Sequence, residues 1–322
     1  MNFLADTIKM DDVEMRSAYC DALIAEAGRN PKIMAVDADA QYSMGTKRFY
    51  EAFPGRSVNC GIMEAHAVGM SAGMSATGLI PFFHAFGTFA TRRAFDQIFL
   101  SCAYQGLNVK IIGGDAGMTA MANGGTHMSF EDMALCRAIP GITIVEPADT
   151  AMYVDLVRHM AETYGLFYAR SCRRKVMRIY RDGARFSIGK ANELAEGKDV
   201  GIIACGIMVY EALKAREILA DSGLSATVMD MHTIKPIDTE AVVRLAGKCG
   251  AIVTAENHNA IGALGSAVAE TLAENFPVPM ERVGVFESFG EVGTQDYLQN
   301  KLGLSAQDIV KKAIKCIRRK SC

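Results

Sequence analysis

The chain alternates between short apolar runs and longer stretches in which apolar residues recur at helical spacing. Residues 10–28 place apolar side chains three and four positions apart, which predicts a helix. Residues 32–37 follow as a short apolar run that ends in an aspartate, which predicts a buried strand. Further strands are predicted at 108–113 and 167–170, and residues 142–149 have the pattern of a strand followed by a helix start. The first half of the chain is therefore predicted to form a parallel sheet flanked by helices.

The second half of the chain shows the same alternation after a polar, glycine-marked segment. Its predicted strands and helices follow one another at 200–205, 209–222, 226–231, 238–247, 251–256 and 265–275. Strands that alternate with helices of this length favour a mostly parallel sheet. We therefore predict an α/β fold with two α/β domains, each a largely parallel sheet flanked by helices. The predicted limits are 1–185 for the first domain, 186–198 for the linker and 199–322 for the second domain.

The composition excludes several classes of protein. The 322 residues, 50% of them hydrophobic, are enough for two sizeable cores. A net charge of −2, without a basic stretch interleaved with aromatic residues, gives no indication of nucleic-acid binding. No apolar run reaches the roughly 18 residues that cross a membrane, and no charged leader with a cleavage site opens the sequence. The nine cysteines are scattered without a Cys-x-x-Cys pair, which predicts reduced thiols and a cytoplasmic protein.

Residues 59–97 concentrate the candidate chemistry. Glu64 lies in the predicted first turn of a helix whose later positions are mostly small, including Gly69 and Gly73. Such a helix is predicted to pack closely against another backbone. Five phenylalanines crowd into the stretch that follows, at positions 82, 83, 86, 89 and 95. Their density is typical of an aromatic pocket or of a core, and Glu64 could equally complement the positive end of the helix dipole.

Two further loops carry candidate ligands. Asp37 and Asp39 stand at the end of the strand at 32–37, where open α/β sheets place ligand groups, although helix capping explains such residues equally well. The loop 114–127 is rich in glycine and ends in His127. Its exposed amides could hold an anion, but it lacks the lysine pattern of a P-loop. A lone histidine is more often structural than catalytic.

The segment Gly-Ile-Met-Glu-Ala-His at 61–66 and the Thr-His pair at 126–127 resemble the pyrimidine-binding domain of thiamine-diphosphate enzymes. The chain is most similar to the C-terminal half of a transketolase, over about residues 10–315. This resemblance implies that Glu64 hydrogen-bonds a ring nitrogen of the cofactor's aminopyrimidine, which favours the tautomer that generates the nucleophilic carbon. It also implies cofactor contacts for Asp39, Phe89, Arg92 and Phe95.

The resemblance implies a substrate site as well. Positions that hold the sugar or its anionic end are matched by Arg16, Ser43, His127 and Arg173. Two departures fall in the same site: Asp115 stands where transketolases normally carry a phosphate-binding histidine, and Asn123 stands where an aspartate reads a sugar hydroxyl. An aspartate at the first position would repel an anion by about 1 kcal/mol or more at close range. The sequence therefore predicts a ketose donor with an anionic or otherwise modified end, not necessarily an ordinary pentose phosphate.

The sequence also lacks the Gly-Asp-Gly segment and following asparagine through which the family holds its metal and diphosphate. The resemblance thus implies half of a site for thiamine diphosphate. The other half, with the ligands for Mg²⁺ or Ca²⁺, is expected on a partner subunit similar to the N-terminal half of a transketolase, without which the chain is inactive. An α2β2 assembly built on the small-residue helix after Glu64 is predicted.

Other interpretations stay open at this point. The chain could be the corresponding half of a 1-deoxyxylulose-5-phosphate synthase, but that family usually has an arginine within 114–117, where this sequence has none. It could also be the β subunit of a 2-oxoacid dehydrogenase, but that subunit lacks the Thr-His pair seen here at 126–127. A non-catalytic regulatory or scaffolding relative is suggested by the altered segment 121–123. Nucleotide binding by the second domain rests only on the glycine-containing loop at 262–265, which lacks the Gly-x-Gly start of a dinucleotide site.

Overall fold

The structure is a computed structural model in which residues 3–321 are described. Met1, Asn2 and Cys322 lie outside this range, so the outer ends of the two predicted domains and the predicted thiol of Cys322 are not covered. Every cysteine within the range is unpaired.

The described range contains the following strands and helices. The strands are β1 Leu4–Met10, β2 Ile33–Asp37, β3 Ser57–Asn59, β4 Ile80–Phe86, β5 Lys110–Gly114, β6 Thr143–Val145, β7 Phe167–Arg170, β8 Met177–Tyr180, β9 Asn192–Ala195, β10 Val200–Ala204, β11 Ala226–Asp230, β12 Thr233–Lys235, β13 Ile252–Asn259 and β14 Met280–Val285. The α-helices are α1 Met15–Arg29, α2 Gln41–Met44, α3 Lys47–Ala52, α4 Glu64–Ala76, α5 Asp132–Arg137, α6 Thr150–Glu162, α7 Met208–Asp221, α8 Thr239–Cys249, α9 Leu264–Asn275, α10 Gln295–Lys301 and α11 Ala306–Arg318. Phe89–Arg93 and Gln97–Ala103 are π-helical, and short 3₁₀ turns occupy Pro54–Arg56, Gly117–Ala120 and Arg319–Ser321.

Two mostly parallel sheets organise these elements. The first sheet has the strand order β12-β6-β7-β5-β4-β2-β3, and β12 alone among these described strands runs antiparallel to its neighbour. The second sheet has the order β14-β13-β10-β11-β9, in which the edge strand β9 pairs antiparallel with β11. A separate antiparallel pair joins β1 to β8. The predicted fold class, two α/β units with largely parallel sheets flanked by helices, is confirmed.

Central strand β4 shows why the apolar runs form this sheet. Phe82 and Phe83 are fully buried and enter two different cores, because successive side chains of a strand point to opposite faces. Helices cover both faces, so the strand reads as a continuous apolar run. Phe86 and Phe89 come after these residues, at the end of the strand, and are only half-buried. The predicted aromatic stretch is therefore core in its first part and partly exposed in its second part.

The N-terminal segment differs from the predicted helix at 10–28. Helix α1 begins at Met15, and β1 occupies the residues before it. Between them Asp11 accepts a hydrogen bond from the Val13 N–H at 3.1 Å and donates its own N–H to the Val176 carbonyl at 2.9 Å, so the chain turns. Strand β1 could not be predicted from local pattern because its partner β8 lies far along the chain.

Strand pairing connects the two halves of the chain. The predicted linker 186–198 contains β9, which joins the second sheet through β11. Strand β12 belongs to the second half but adds to the first sheet, where Thr233 pairs with Val145. The limits of the two domains stay a prediction, since the strand pairing connects both halves across them.

Asp155 connects α6 to residues 185–186, in the segment that leads toward the second sheet. Its buried carboxylate accepts hydrogen bonds from Arg158 at 3.0 Å, from Arg185 at 2.6 Å and from the backbone N–H of Phe186 at 2.8 Å. Burial by itself would raise the pKa of Asp155, but these hydrogen bonds, together with one from His159, hold the pKa well below its usual value of 3.8.

Asp155→Asn is expected to lower the free energy of unfolding at pH 7 by about 1–3 kcal/mol, because the charge-assisted hydrogen bonds are lost. In the wild type this stabilisation is fully present above pH 3.8 and is lost as the pH falls further, through the lowered pKa of the folded state. Urea unfolding measures it. Glu162→Gln is the control, since the exposed Glu162 also pairs with Arg158, at 2.6 Å, and should contribute less than about 0.5 kcal/mol. Equal losses in the two variants would contradict the prediction.

Candidate active site

The carboxyl-terminal edge of the first sheet gathers the loops that carry the candidate residues. Strands β2, β4 and β5 are parallel and in register, so that Asp37 lies beside His84 and Phe86 lies beside Gly114. Open α/β sheets bind their ligands at this edge, because the loops that follow the strands meet there.

Glu64 is the first residue of α4 and is only 2% exposed. Both of its carboxylate oxygens accept hydrogen bonds from Nη1 of Arg93, at 2.9 and 2.8 Å. The guanidinium of Arg93 also lies over the ring of Phe89, 4.4 Å from its centroid. Because an unpaired buried carboxylate is costly, Arg93 stabilises Glu64 in this position and connects it to the aromatic residues.

Arg93 was not among the residues predicted from the sequence, whereas its neighbour Arg92 was. The structure places Nε of Arg92 2.9 Å from a carboxylate oxygen of Glu131. Both arginines belong to the π-helical segment Phe89–Arg93. A π turn holds more residues than an α turn, so positions counted at α-helical spacing do not identify the side chain that faces Glu64.

The ring of His127 is packed between two phenylalanines. Its centroid lies 5.1 Å from the centroids of Phe86 and Phe89, and both pairs meet edge to face. Nδ1 of His127 hydrogen-bonds the Thr126 hydroxyl at 2.9 Å, and no other described residue hydrogen-bonds the ring. The ring orientation is therefore fixed from one side, and Nε2 is available to a ligand.

Burial lowers the pKa of His127 below its ordinary value of 6.5, and the nearby positive charge of Arg173 lowers the pKa further. The carboxylate of Asp115 acts in the opposite direction but does not compensate. His127 is therefore neutral near pH 7, and a neutral imidazole can accept a proton as well as donate a hydrogen bond.

Arg173 joins the two residues that depart from the family pattern. Its Nε and Nη2 lie 2.6 and 2.5 Å from one carboxylate oxygen of Asp115, and its Nη2 donates to the side-chain oxygen of Asn123 at 3.0 Å. Its guanidinium also lies 5.1 Å from the ring centroid of Phe86. Asp115 is fully buried and has a positive φ of 55°, a backbone conformation that aspartate and asparagine tolerate better than most residues. The negative charge of Asp115 is thus mainly neutralised by Arg173.

Arg16 and Ser43 lie together next to this group. Nη1 of Arg16 donates to the backbone carbonyl of Ser43 at 3.1 Å, while its Nε donates to Glu14 at 2.8 Å. The backbone N–H of Arg16 donates to the carbonyl of Arg173 at 3.4 Å. A backbone hydrogen bond therefore places Arg16 and Arg173, the two predicted anion-binding arginines, next to each other.

Asp39 lies in the exposed turn after β2, with a positive φ of 56°. Asn59 holds this turn, because its Oδ1 accepts the N–H groups of Asp39 and Gly61, each at 3.0 Å, and its Nδ2 donates to the Asp39 carboxylate at 3.2 Å. Asn59 thereby couples the turn that carries Asp39 to the turn that leads into Glu64. A conformation-determining role for Asn59 has no signal in the sequence beyond its place next to Cys60-Gly61.

The structure brings most of the predicted site residues into one group. A path of contacts runs from Glu64 through Arg93, Phe89, His127 and Phe86 to Arg173. Asp115 and Asn123 pair with Arg173 at its far end. Phe95 is half-buried, lies 6.4 Å from Phe99 between ring centroids, and packs against the second core rather than against Phe89.

These residues suit the aminopyrimidine half of thiamine diphosphate. Glu64 offers a buried carboxylate for a ring nitrogen, and Phe89 offers an aromatic face beside it. Across residues 3–321 no group of three or more histidine, cysteine, aspartate and glutamate side chains is arranged to hold a metal ion. None of the described helices is long and apolar enough to span a membrane.

Comparison with known proteins gives matches over almost the whole chain. Residues 11–177 match the family model described as transketolase, pyrimidine binding domain, and residues 189–309 match the transketolase, C-terminal domain. The chain is 49% identical to the 6-deoxy-6-sulfo-D-fructose transketolase subunit SqwH of Clostridium sp. (strain MSTE9), over 98% of each chain. It is 36% identical to a subunit of the apulose-4-phosphate transketolase of Phocaeicola vulgatus, over 95% of this chain and 98% of that one.

A solved structure gives the same answer at the level of the fold. A split gene transketolase in the form of an inactive β4 tetramer superposes with a TM-score of 0.89 at 42% identity, over 96% of this chain and 100% of that chain. The two family models together cover both halves of the molecule. The chain therefore belongs to the transketolase family, of which it contains the pyrimidine-binding and C-terminal domains.

Proposed function

We propose that the chain is the C-terminal-half subunit of a split transketolase, which transfers a two-carbon ketol unit from a ketose to an aldose with thiamine diphosphate as cofactor. The observation that carries this proposal is the contact path from Glu64 to Arg173, because it places a carboxylate for the cofactor and a cation for the substrate on either side of a histidine. Relatives named as transketolase subunits, matched over nearly their full length, favour it over the synthase and dehydrogenase alternatives.

When bound, thiamine diphosphate supplies the nucleophilic carbon that carries the two-carbon unit. On this chain Glu64 would hydrogen-bond a ring nitrogen of the aminopyrimidine, and Phe89 would pack beside the ring. Arg93 must then share Glu64 or leave it. The guanidinium already lies 4.4 Å from the Phe89 centroid, so it keeps a stabilising contact when Glu64 changes partner. Asp39, Arg92 and Phe95 stay proposed cofactor contacts.

His127 is proposed to move protons at its Nε2. The Thr126 hydroxyl engages Nδ1, so the two ring nitrogens have different tasks. Because burial and Arg173 lower the pKa of His127, the ring can accept a proton from a substrate hydroxyl near pH 7 and return it later.

The substrate end is proposed to be a sulfonate. Arg173 and Arg16 supply positive charge, but Asp115 pairs with Arg173 at 2.5 Å and leaves little net charge there. A phosphate monoester carries about −1.5 to −2 charges near pH 7 and so gains more from an unpaired arginine than a singly charged sulfonate does. The relative named for 6-deoxy-6-sulfo-D-fructose supports a sulfonated ketose donor. Ser43 and Asn123 are proposed to bind sugar hydroxyls.

The partner is proposed to be a transketolase N-terminal-half subunit in an α2β2 assembly, carrying the diphosphate site and the ligands for Mg²⁺ or Ca²⁺. The face of α4 beside Glu64 supports this. Ile62 and Met63 are 72% and 56% exposed, and a Cβ at Gly69 or Gly73 would meet no described atom within 4 Å. The close packing predicted at Gly69 and Gly73 is thus not made within the described residues, and a second chain can make it. The unpaired cysteines support a cytoplasmic location.

The first test mixes this chain with a transketolase N-terminal-half protein from the same organism, thiamine diphosphate and Mg²⁺, and assays ketol transfer from a panel of donors by mass spectrometry. Activity is expected only in the mixture. Glu64→Gln should lower kcat by about 100-fold or more, because an amide cannot exchange a proton at that atom. Glu211→Gln is the matched control, since Glu211 is also buried in the first turn of a helix, 3.3 Å from Lys214, but belongs to α7 of the second half.

The outcomes separate the parts of the proposal. If Glu64→Gln and Glu211→Gln behave alike in an active complex, the assignment of Glu64 is wrong. If the complex forms and binds thiamine diphosphate without ketol transfer from any donor, the non-catalytic alternative replaces the proposal. If xylulose 5-phosphate is the best donor, the assignment of the sulfonate is wrong.

Asp115→Asn tests the charge balance at the substrate end. Asparagine has the same shape and tolerates the positive φ of this position. Removal of the negative charge frees Arg173, so the ratio of kcat/KM for a phosphorylated over a sulfonated ketose should rise about fivefold to tenfold, or about 1–1.4 kcal/mol. Asp21→Asn is the control, because it breaks an exposed pair with Arg48 and makes the same change of net charge. An unchanged ratio would show that Asp115 does not select the substrate end.

The lowered pKa of His127 makes a prediction that needs no activity. Titration of the histidine ring signals by NMR should give His127 a pKa below 6.5, so the ring becomes charged only at more acidic pH. Arg173→Gln should raise this pKa, because a positive charge is removed and Asp115 is left to favour the imidazolium. Arg48→Gln, which removes an exposed charge elsewhere, should leave it unchanged. A fall of the pKa in Arg173→Gln would contradict the arrangement described.

A further inference from the structure

The second half of the chain supports the loop 114–128, here called the substrate loop because it carries Asp115, Asn123 and His127. None of the chemistry proposed above uses a side chain of that half. Nevertheless the second half contacts the substrate loop near its start, at its middle and just after its end.

Asn257, in β13 of the second sheet, makes the first of these contacts. Its side chain is 2% exposed and donates from Nδ2 to the carbonyl of Ala116 at 3.1 Å. Its Oδ1 accepts the backbone N–H of Met118 at 3.0 Å. Both ends of one buried amide therefore bind the backbone immediately after Asp115.

The bound backbone is in an unfavourable conformation. Asp115 has a φ of 55° and Gly117 has a φ of 58°, so two positions close together adopt the left-handed region. Such a conformation persists only where surrounding groups determine it. A Cβ at Gly117 would collide with Asn257, so this glycine is required by the close approach as well as by its φ.

Asn257 is itself held in place by Arg170. The backbone carbonyl of Asn257 accepts a hydrogen bond from Nη2 of Arg170 at 2.7 Å. The same nitrogen donates to the carbonyl of Ser129 at 3.0 Å, and that carbonyl also accepts the N–H of Gly117 at 3.1 Å. Buried ion pairs with Asp132 and Glu146 fix the guanidinium. The amide of Asn257 thus reaches the loop from a fixed point.

Two backbone contacts complete the support. The N–H of Asn259 donates to the carbonyl of Phe130 at 2.8 Å, just after the substrate loop ends. The N–H of Gly293 donates to the carbonyl of Met121 at 3.2 Å, at its middle. These contacts use backbone groups that any residue provides, whereas the contact near Asp115 depends on an amide side chain.

We propose that Asn257 is a positioning residue that sets the conformation of the substrate loop, and through it the places of Asp115 and His127. This inference rests on the proposed function for its effect on catalysis. Its effect on the loop is independent of that function and can be measured on the chain alone.

The experiment compares hydrogen–deuterium exchange and kinetics in Asn257→Ala and Asn257→Asp. Aspartate preserves the side-chain volume and the acceptor for Met118 but removes the donor to Ala116, so a cavity cannot explain its effect. In the full-length chain alone, peptides covering 114–130 should exchange about tenfold faster or more in both variants. In the complex with its partner, thiamine diphosphate and Mg²⁺, kcat/KM for the donor should fall about 10- to 100-fold, mostly through KM.

Asn108→Ala is the matched control. Asn108 is also buried, 8% exposed, and its side-chain oxygen accepts a backbone N–H, that of Gly165, at 3.1 Å. It lies just before β5, at the opposite edge of the first sheet. Its loss should leave exchange of residues 114–130 and the KM for the donor unchanged.

Faster exchange confined to residues 114–130, together with a raised KM, supports the proposal. Unchanged exchange in that segment overturns it, and so does faster exchange spread evenly over both sheets, because Asn257 would then support the whole fold. Faster exchange in an active complex with unaltered kinetics overturns the functional part. If the wild-type complex transfers no ketol unit, the proposed function fails while the exchange result still decides the role of Asn257 in the loop.

Discussion

The buried guanidinium of Arg170 is the interaction on which the arrangement of the two halves depends. It lies 2.9 Å from Asp132 and 2.5 Å from Glu146, and it donates to the carbonyl of Asn257 at 2.7 Å. A buried charge that loses one of these partners would cost about 3–5 kcal/mol, so every partner has to stay in place. Asp132 and Glu146 belong to the first half of the chain and Asn257 to the second. One side chain thus connects the halves, together with the pairing of β12 and β6.

The candidate site lies between a rigid side and an open side. On the rigid side, the ion pairs of Arg170 and the amide of Asn257 hold the loop 114–128. On the open side, Glu64 sits at the start of α4, with the exposed Ile62 and Met63 just before it. Under the proposed function, the rigid side keeps the proposed substrate residues in place before assembly, and a partner subunit completes the open side.

The charges in the site are arranged in pairs that a ligand can exchange. Arg93 holds Glu64 in the chain alone. Because Arg93 also contacts Phe89, it keeps one partner when Glu64 binds a ligand. Asp115 balances Arg173 in the same way, which limits the positive potential at the proposed substrate end. Both pairs lower the cost of a buried charge.

The sequence by itself determined the alternation of the main parallel strands with helices, because apolar periodicity is a local property. It also identified Glu64, His127 and Arg173 as candidate site residues, because their motifs keep residue types at fixed spacing. It did not determine the partners of β1, β9 and β12, which pair across long separations. The choice of Arg93 over Arg92 depends on a π-helical segment, and the role of Asn257 depends on the contact between two sheets. Only the tertiary structure decided these features, because they depend on contacts between segments whose own sequences do not indicate their partners.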